Sequence, residues 1–125
     1  MRQPQVLIHE RDGRLTAFVR AVLEARGLRW TVREPRDLAS CLRLLQHCGP
    51  AVLIVRAGRD LERVLTLLER VAWLHPEAAT VFVGDVEHAP LAGIAWDLGV
   101  RYVYLPPQPR ELLPDLVIQL MGEGT

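Results

Sequence analysis

The sequence predicts a three-layer α/β/α sandwich built on a five-stranded parallel sheet, a (βα)5 domain with strand order 2-1-3-4-5. Three observations carry that expectation. Short apolar runs alternate five times with stretches of helical periodicity. The connections between them are short and rich in Gly and Pro. The strongest apolar run, Ala51-Val52-Leu53-Ile54-Val55, is continuous and unbroken by any polar residue, as a strand covered on both faces must be. Alternating strands and helices argue for a parallel sheet between helical layers, and right-handed crossovers make 2-1-3-4-5 the economical order.

The elements follow in turn. Val6-Leu7-Ile8 is the first strand, broken by Asp12-Gly13. Leu15, Phe18, Val19, Val22 and Leu23 recur at helical spacing and predict a helix over Leu15–Arg26, which Gly27 closes as a C-cap glycine. Leu28–Val32 is the second strand, and Leu38–Cys48 the second helix, stopped by Gly49-Pro50. Ala51–Val55 belongs at the centre of the sheet. Leu61–Leu74 forms the third helix through Leu61, Val64, Leu65, Leu68 and Val71. Thr80–Val83 is the fourth strand, ended by Gly84, and a shorter helix runs from about Pro90 to Leu98, capped by Gly99. Val100–Leu105 is the fifth strand, and after Pro106-Pro107-Gln108-Pro109 a final helix spans Arg110–Met121. No repeat, linker or low-complexity segment interrupts the series, so one domain over residues 1–125 is expected.

Composition excludes several classes. Fifteen basic and fifteen acidic residues balance to a net charge of +0, which disfavours direct nucleic-acid binding through a basic stripe. No apolar run approaches the ~18 residues of a membrane span, and Val6–His9 is too short for a signal peptide. Cys41 and Cys48 fall about 10 Å apart on one helix, too far for a disulfide. Reduced thiols suit a cytoplasmic protein. All fifteen basic residues are Arg, and the absence of Lys removes every mechanism that needs an amine.

In such a fold, ligands meet the protein beyond the carboxyl ends of the strands. The residues there are His9, Glu10, Arg11 and Asp12 after the first strand, and Arg56, Ala57 and Gly58 after the third. Gly84 and Asp85 follow the fourth, and Leu105 and Pro106 the fifth.

Three stretches in this framework carry a resemblance. "VLIHERDGRLTAFVRAVLEARG" (6–27) has a strand, two polar positions and a helix ending in "LEARG". "PAVLIVRAGRDLERVLTLLERVAWLHP" (50–76) and "AWDLGVRYVYLPPQPRELL" (95–113) follow in the same order and spacing. Together they resemble the receiver domain of bacterial two-component response regulators over nearly the whole chain. The resemblance implies a phosphorylation pocket, and also where it has degenerated. The acceptor Asp of a working receiver falls on Arg56, whose guanidinium stays protonated and cannot form an acyl phosphate. The two Mg²⁺-holding acids fall on Glu10 and Arg11, leaving one carboxylate, so no Mg²⁺ and no other metal is expected. The Ser/Thr after the fourth strand falls on Gly84, and the Lys after the fifth on Pro106. The resemblance also implies a cis Pro106–Pro107 peptide, which proline permits.

Glu10, Arg11, Arg56 and Asp85 should therefore converge. Arg56 pairing with Glu10 or Asp85 would fill the pocket with a permanent ion pair; the alternative is an Arg56 that snorkels to solvent. Arg11 with Arg56 could instead form an anion or nucleotide site, although "HERDGR" has no Gly-rich phosphate loop. His9 should be a neutral, hydrogen-bonded strand end, while His47 and His75 lack partners at metal spacing. By resemblance, the output face is the fourth helix, fifth strand and fifth helix. It would carry Trp96, Arg101, Tyr102, Tyr104 and Arg110, residue types that anchor interfaces. Leu91, Ile94, Ala95 and Leu98 would form the buried side of the fourth helix, and the family's aromatic switch position falls on Val103. The expectation is a non-enzymatic, non-phosphorylatable receiver-like module without cofactor. It would bind a protein partner or a second copy of itself in bacterial signal transduction. The alternative is a small-molecule or nucleotide sensor using the Arg11/Arg56 pocket.

Overall fold

A strand buried on both faces deals its side chains alternately to two cores. The computed structural model, which describes residues 3–47 and 49–123, shows that division throughout. Five parallel strands pair in the order β2-β1-β3-β4-β5. The chain runs β1 (Gln5–His9), α1 (Arg14–Ala25), β2 (Thr31–Arg33), α2 (Leu38–His47), β3 (Ala51–Arg56) and α3 (Leu61–Leu74). It continues through β4 (Ala79–Val83), α4 (Ala92–Asp97), β5 (Tyr102–Tyr104) and α5 (Leu113–Glu123). Register is set at the centre, where Gln5 to His9 lie opposite Ala51 to Val55.

Val6, Ile8, Val52, Ile54, Val81 and Val83 face one core, closed by Leu15, Val19 and Leu23 of α1 and Leu113, Val117 and Leu120 of α5. Leu7, Leu53, Val55 and Phe82 face the other, closed by Cys41 and Leu45 of α2, Leu67, Leu68 and Val71 of α3, and Ala95 of α4. The three-layer architecture follows from this alternation. Cys41 is buried, as expected; Cys48 lies outside the described residues.

Element boundaries differ from expectation where capping or proline intervenes. The second strand is Thr31–Arg33 rather than Leu28–Val32. Leu28 instead donates its N–H to the Leu23 carbonyl, and Gly27, at φ 73°, turns the chain to let it do so. Leu28 thus closes α1 and packs on the core without pairing. The first helix spans Arg14–Ala25, one residue earlier than expected, with Arg26 as its C-cap. Before α4 the chain makes a 3-10 turn over Val86–Leu91, because Pro90 has no N–H to return four residues. Pro114 has the same effect, and Arg110–Leu112 form a 3-10 turn before α5 begins. The fifth strand is cut to Tyr102–Tyr104. Val100 donates to Ala95 of the preceding helix, and the Leu105 N–H turns to the Gln108 side chain. The Pro106–Pro107 peptide is cis, as expected. No helix among the described residues is long and apolar enough to cross a membrane.

Phe82 is the largest fully buried side chain, on a strand flanked on both sides. Phe82→Ala should cost about 3–5 kcal/mol, as a large core truncation does. Urea unfolding followed by far-UV circular dichroism measures it, and a loss below 1 kcal/mol contradicts this packing.

Candidate functional site

The first turn of a helix leaves N–H groups without intrahelical partners. At α1 the N-cap is Gly13, in the left-handed conformation at φ 72°, and it has no side chain to offer. Glu10, just beyond β1, supplies the acceptors from three residues upstream. Its Oε1 accepts from Leu15 N at 3.1 Å, and its Oε2 from Thr16 N and Thr16 Oγ1, both at 2.7 Å. The Glu10 side chain is 0% exposed. The carboxylate that the resemblance places in a metal pocket is turned inward and committed to the helix.

Arg56 ends β3 beside it. Its Nη1 lies 3.5 Å from Glu10 Oε1 and donates to both carboxylate oxygens of Asp12, each at 3.2 Å. The guanidinium is therefore tied down rather than snorkelling, with its side chain 23% exposed. Of its two expected partners, Glu10 is present and Asp85 is not. Asp12 takes the second place, a partner that sequence reasoning missed although it stands two residues after Glu10. Asp12 also accepts from Arg14 N at 3.1 Å. That backbone N–H is the main reason its carboxyl lies below the usual carboxylate value; burial opposes it, and the Arg56 charge adds a smaller lowering effect. Arg11 points to solvent and makes no ion pair with its neighbours, so the expected convergence of four residues reduces to Glu10, Asp12 and Arg56. His9 is hydrogen-bonded as expected, its Nδ1 3.0 Å from the Pro35 carbonyl.

Asp85 belongs to a different arrangement. Its Oδ1 accepts from Arg110 Nη2 at 2.8 Å, which ties the loop after β4 to the start of the C-terminal helical segment. Its backbone N–H donates to His88 Nδ1 at 2.8 Å. Histidine here returns the bond that Glu or Gln gives in a capping box. Gly84 packs directly on that ring: a Cβ on residue 84 would meet His88 Cβ at 2.9 Å and Leu105 Cδ2 at 3.0 Å. Glycine is required by close approach, because the His88 side chain fills the space that a side chain on residue 84 would need. Asp85, Glu87 and His88 bring three possible metal-ligand atoms within 4.8 Å. However, Nδ1 already accepts an N–H, so Nε2 carries the ring proton and offers no lone pair to a cation. Pro106 is exposed on the following loop and brings no charge to the pocket.

The residues expected on the output face divide between surface and core. Trp96 is 49% exposed and meets Tyr102 edge to face, with ring centroids 6.3 Å apart. Arg101 is exposed, and Arg110 is engaged with Asp85. Tyr104 does not belong to the face: it is 5% exposed, lies in the α1/α5 core, and donates its hydroxyl to the Pro109 carbonyl. The strand alternation that sends Val103 into the opposite core turns Tyr104 inward. Ile94 is corrected in the other direction: it lies outside at 47% exposure, on the edge of α4 opposite Trp96. With α4 only six residues long, Ala95 alone is fully buried.

No protein-family model matches this sequence, and no curated protein matches it. Solved structures do. A CheY-like response regulator receiver domain protein from Methanospirillum hungatei superposes with a TM-score of 0.78 at 15% identity, covering 98% of this chain and 96% of that one. The receiver domain of the Francisella response regulator 1452 gives 0.77 at 15% identity, covering 98% and 100%. A structure described as adenylate cyclase from Rhodopirellula baltica gives 0.77 at 12% identity, covering 98% and 90%. The chain has the receiver fold.

Two predictions follow from the strand-end chemistry. Glu10→Gln places an amide donor against N–H and O–H donors in a buried site and should cost about 1–3 kcal/mol, whereas Arg11→Ala should leave stability unchanged. Chemical denaturation of both variants tests the contrast. Asp12, with its pKa lowered from 3.8, stabilises the fold above that value, and the contribution is lost as pH falls through the lowered one. Asp12→Asn should therefore flatten the acid limb of a melting-temperature profile; an unchanged limb contradicts the pairing.

Proposed function

We propose that this chain is a receiver-fold signalling module that takes no phosphoryl group and works as a docking domain. The observation that carries this reading is Arg56 at the end of β3, held by Glu10 and Asp12 at 3.2–3.5 Å. A guanidinium there is no nucleophile, and its positive charge beside Glu10 and Asp12 opposes the approach of Mg²⁺. Glu10 is further withdrawn by its three bonds to α1. Gly84 offers no hydroxyl, and no Lys exists to sense a phosphoryl group. Because all these changes bear on the switch and none on the core, the fold persists while its usual trigger does not.

The docking half rests on the α4–β5–α5 face. Trp96, 49% exposed, and the half-buried Tyr102 form an aromatic pair, with Arg101 next to Tyr102 in the chain and Leu112 54% exposed on the following segment. Large aromatic rings with arginine nearby make effective anchors, because they bury much area with few rotatable bonds. The partner is a protein or a second copy of the chain, and the module performs no catalysis.

Incubation with acetyl phosphate and Mg²⁺ should give no phosphoryl mass gain, and beryllofluoride with Mg²⁺ should leave the melting temperature unchanged. A gain in either overturns the first half. For the second, sedimentation velocity across a concentration series should show self-association that Trp96→Ala with Tyr102→Ala abolishes, or a monomer whose pulled-down partner is lost in that double variant. A monomer with identical partners in both forms refutes the face.

A further inference from the structure

The same strand ends carry a second feature, independent of the docking face. In this architecture the crevice between β1 and β3, where the strand order reverses, is where ligands bind. Here it opens into a groove of about 1280 Å³ between the starts of α2 and α3, large against the ~300–1000 Å³ of ordinary small-molecule sites. Leu38, Val64 and Leu67 give it an apolar wall.

Most of its carboxylates are spent within the protein. Glu10 serves α1, and Asp12 serves Arg56 and the Arg14 N–H. Asp37 accepts from Ser40 N at 2.7 Å, capping α2. Asp60 accepts from Arg63 N at 3.2 Å, capping α3, and pairs with the Arg63 side chain. Glu34 and Glu62 also line the groove and are exposed. The arginines divide differently. Arg56 is held, but Arg11, Arg36 and Arg59 line the groove from three separate loops. All three are exposed, and none makes a hydrogen bond or ion pair among the described residues.

We propose that this groove binds a multiply phosphorylated small molecule. Arg11, Arg36 and Arg59 take its phosphate oxygens, and its apolar portion lies on Leu38, Val64 and Leu67. Guanidinium forks match phosphate oxygens in pairs, and three of them on separate loops suit several phosphates better than one. Arg56 offsets one of the two negative charges of Glu10 and Asp12, and the Glu10 carboxylate is turned into the protein. A long nucleic acid fits poorly, because the net charge is +0 and the arginines are confined to one crevice. The two helix starts that face the groove are capped by their own Asp37 and Asp60, so the arginines carry the recognition.

Isothermal titration of the full chain with tripolyphosphate, and with ATP, both without Mg²⁺, tests this. Each should bind at one site, the two should compete, and binding should weaken as salt is raised. Arg36→Ala and Arg59→Ala should each weaken binding about tenfold, the value of a charge-assisted hydrogen bond. Arg70→Ala, on the exposed part of α3 away from the groove, should leave it unchanged. The unliganded melting temperatures of all three variants should equal that of wild type, since these side chains hold nothing in the free protein. No binding of either probe at millimolar concentration, or equal weakening by Arg70→Ala, overturns the proposal. Neither result bears on sedimentation of the Trp96/Tyr102 variant, so the two readings fail separately.

Discussion

A fully buried carboxylate is tolerable only where its oxygens are satisfied, and Glu10 has the start of α1 to satisfy them. Much of the strand-end arrangement depends on that single commitment. It lets Gly13, which has no side chain to cap with, open the helix in a left-handed turn. It fixes the path from β1 into α1, and hence the position from which Asp12 meets Arg56. It also leaves Arg56 with one buried and one exposed acidic neighbour, a stable seat for a charge at the centre of the sheet. Fixed charges thereby fill the strand ends, within a fold that is complete around them.

The two ends of the carboxyl edge have become separate. On the β1–β3 side the charges close on themselves through Glu10, Asp12 and Arg56, beside a groove whose arginines look outward. On the β4–β5 side Asp85 reaches Arg110, and the His88 ring fills the space against Gly84. No ion pair among the described residues spans the two sides. A domain wired this way has no single pocket through which one event could reorganise both.

The fold was legible because its signal is redundant. Continuous apolar strands, C-cap glycines at 27 and 99, and helical spacing in α1 and α3 all demand the same layers. Boundaries were less legible where one residue serves two elements, as Leu28 does in closing α1, or where Pro90 and Pro114 delay a helix. In the site, the Arg at the end of β3 and the absence of Lys could be read from the sequence alone. The partner of Arg56 could not, because Glu10, Asp12 and Asp85 are equivalent carboxylates until the backbone sets their distances. Tyr104 was misplaced for a simpler reason: it and Tyr102 face the same core, but Tyr104 is covered and bonded to Pro109 while Tyr102 is only half-buried, a difference that alternation alone does not show.

The contact between Gly84 and His88 has a consequence for what this loop can become. A serine or threonine at position 84 would place its Cβ 2.9 Å from the His88 Cβ. The ring would have to move first, and moving it strips the Asp85 N–H of its acceptor. A side chain at position 84 therefore requires at least two coordinated replacements on this loop. Close packing works here as an interlock, in which each of the two residues fixes the identity of the other.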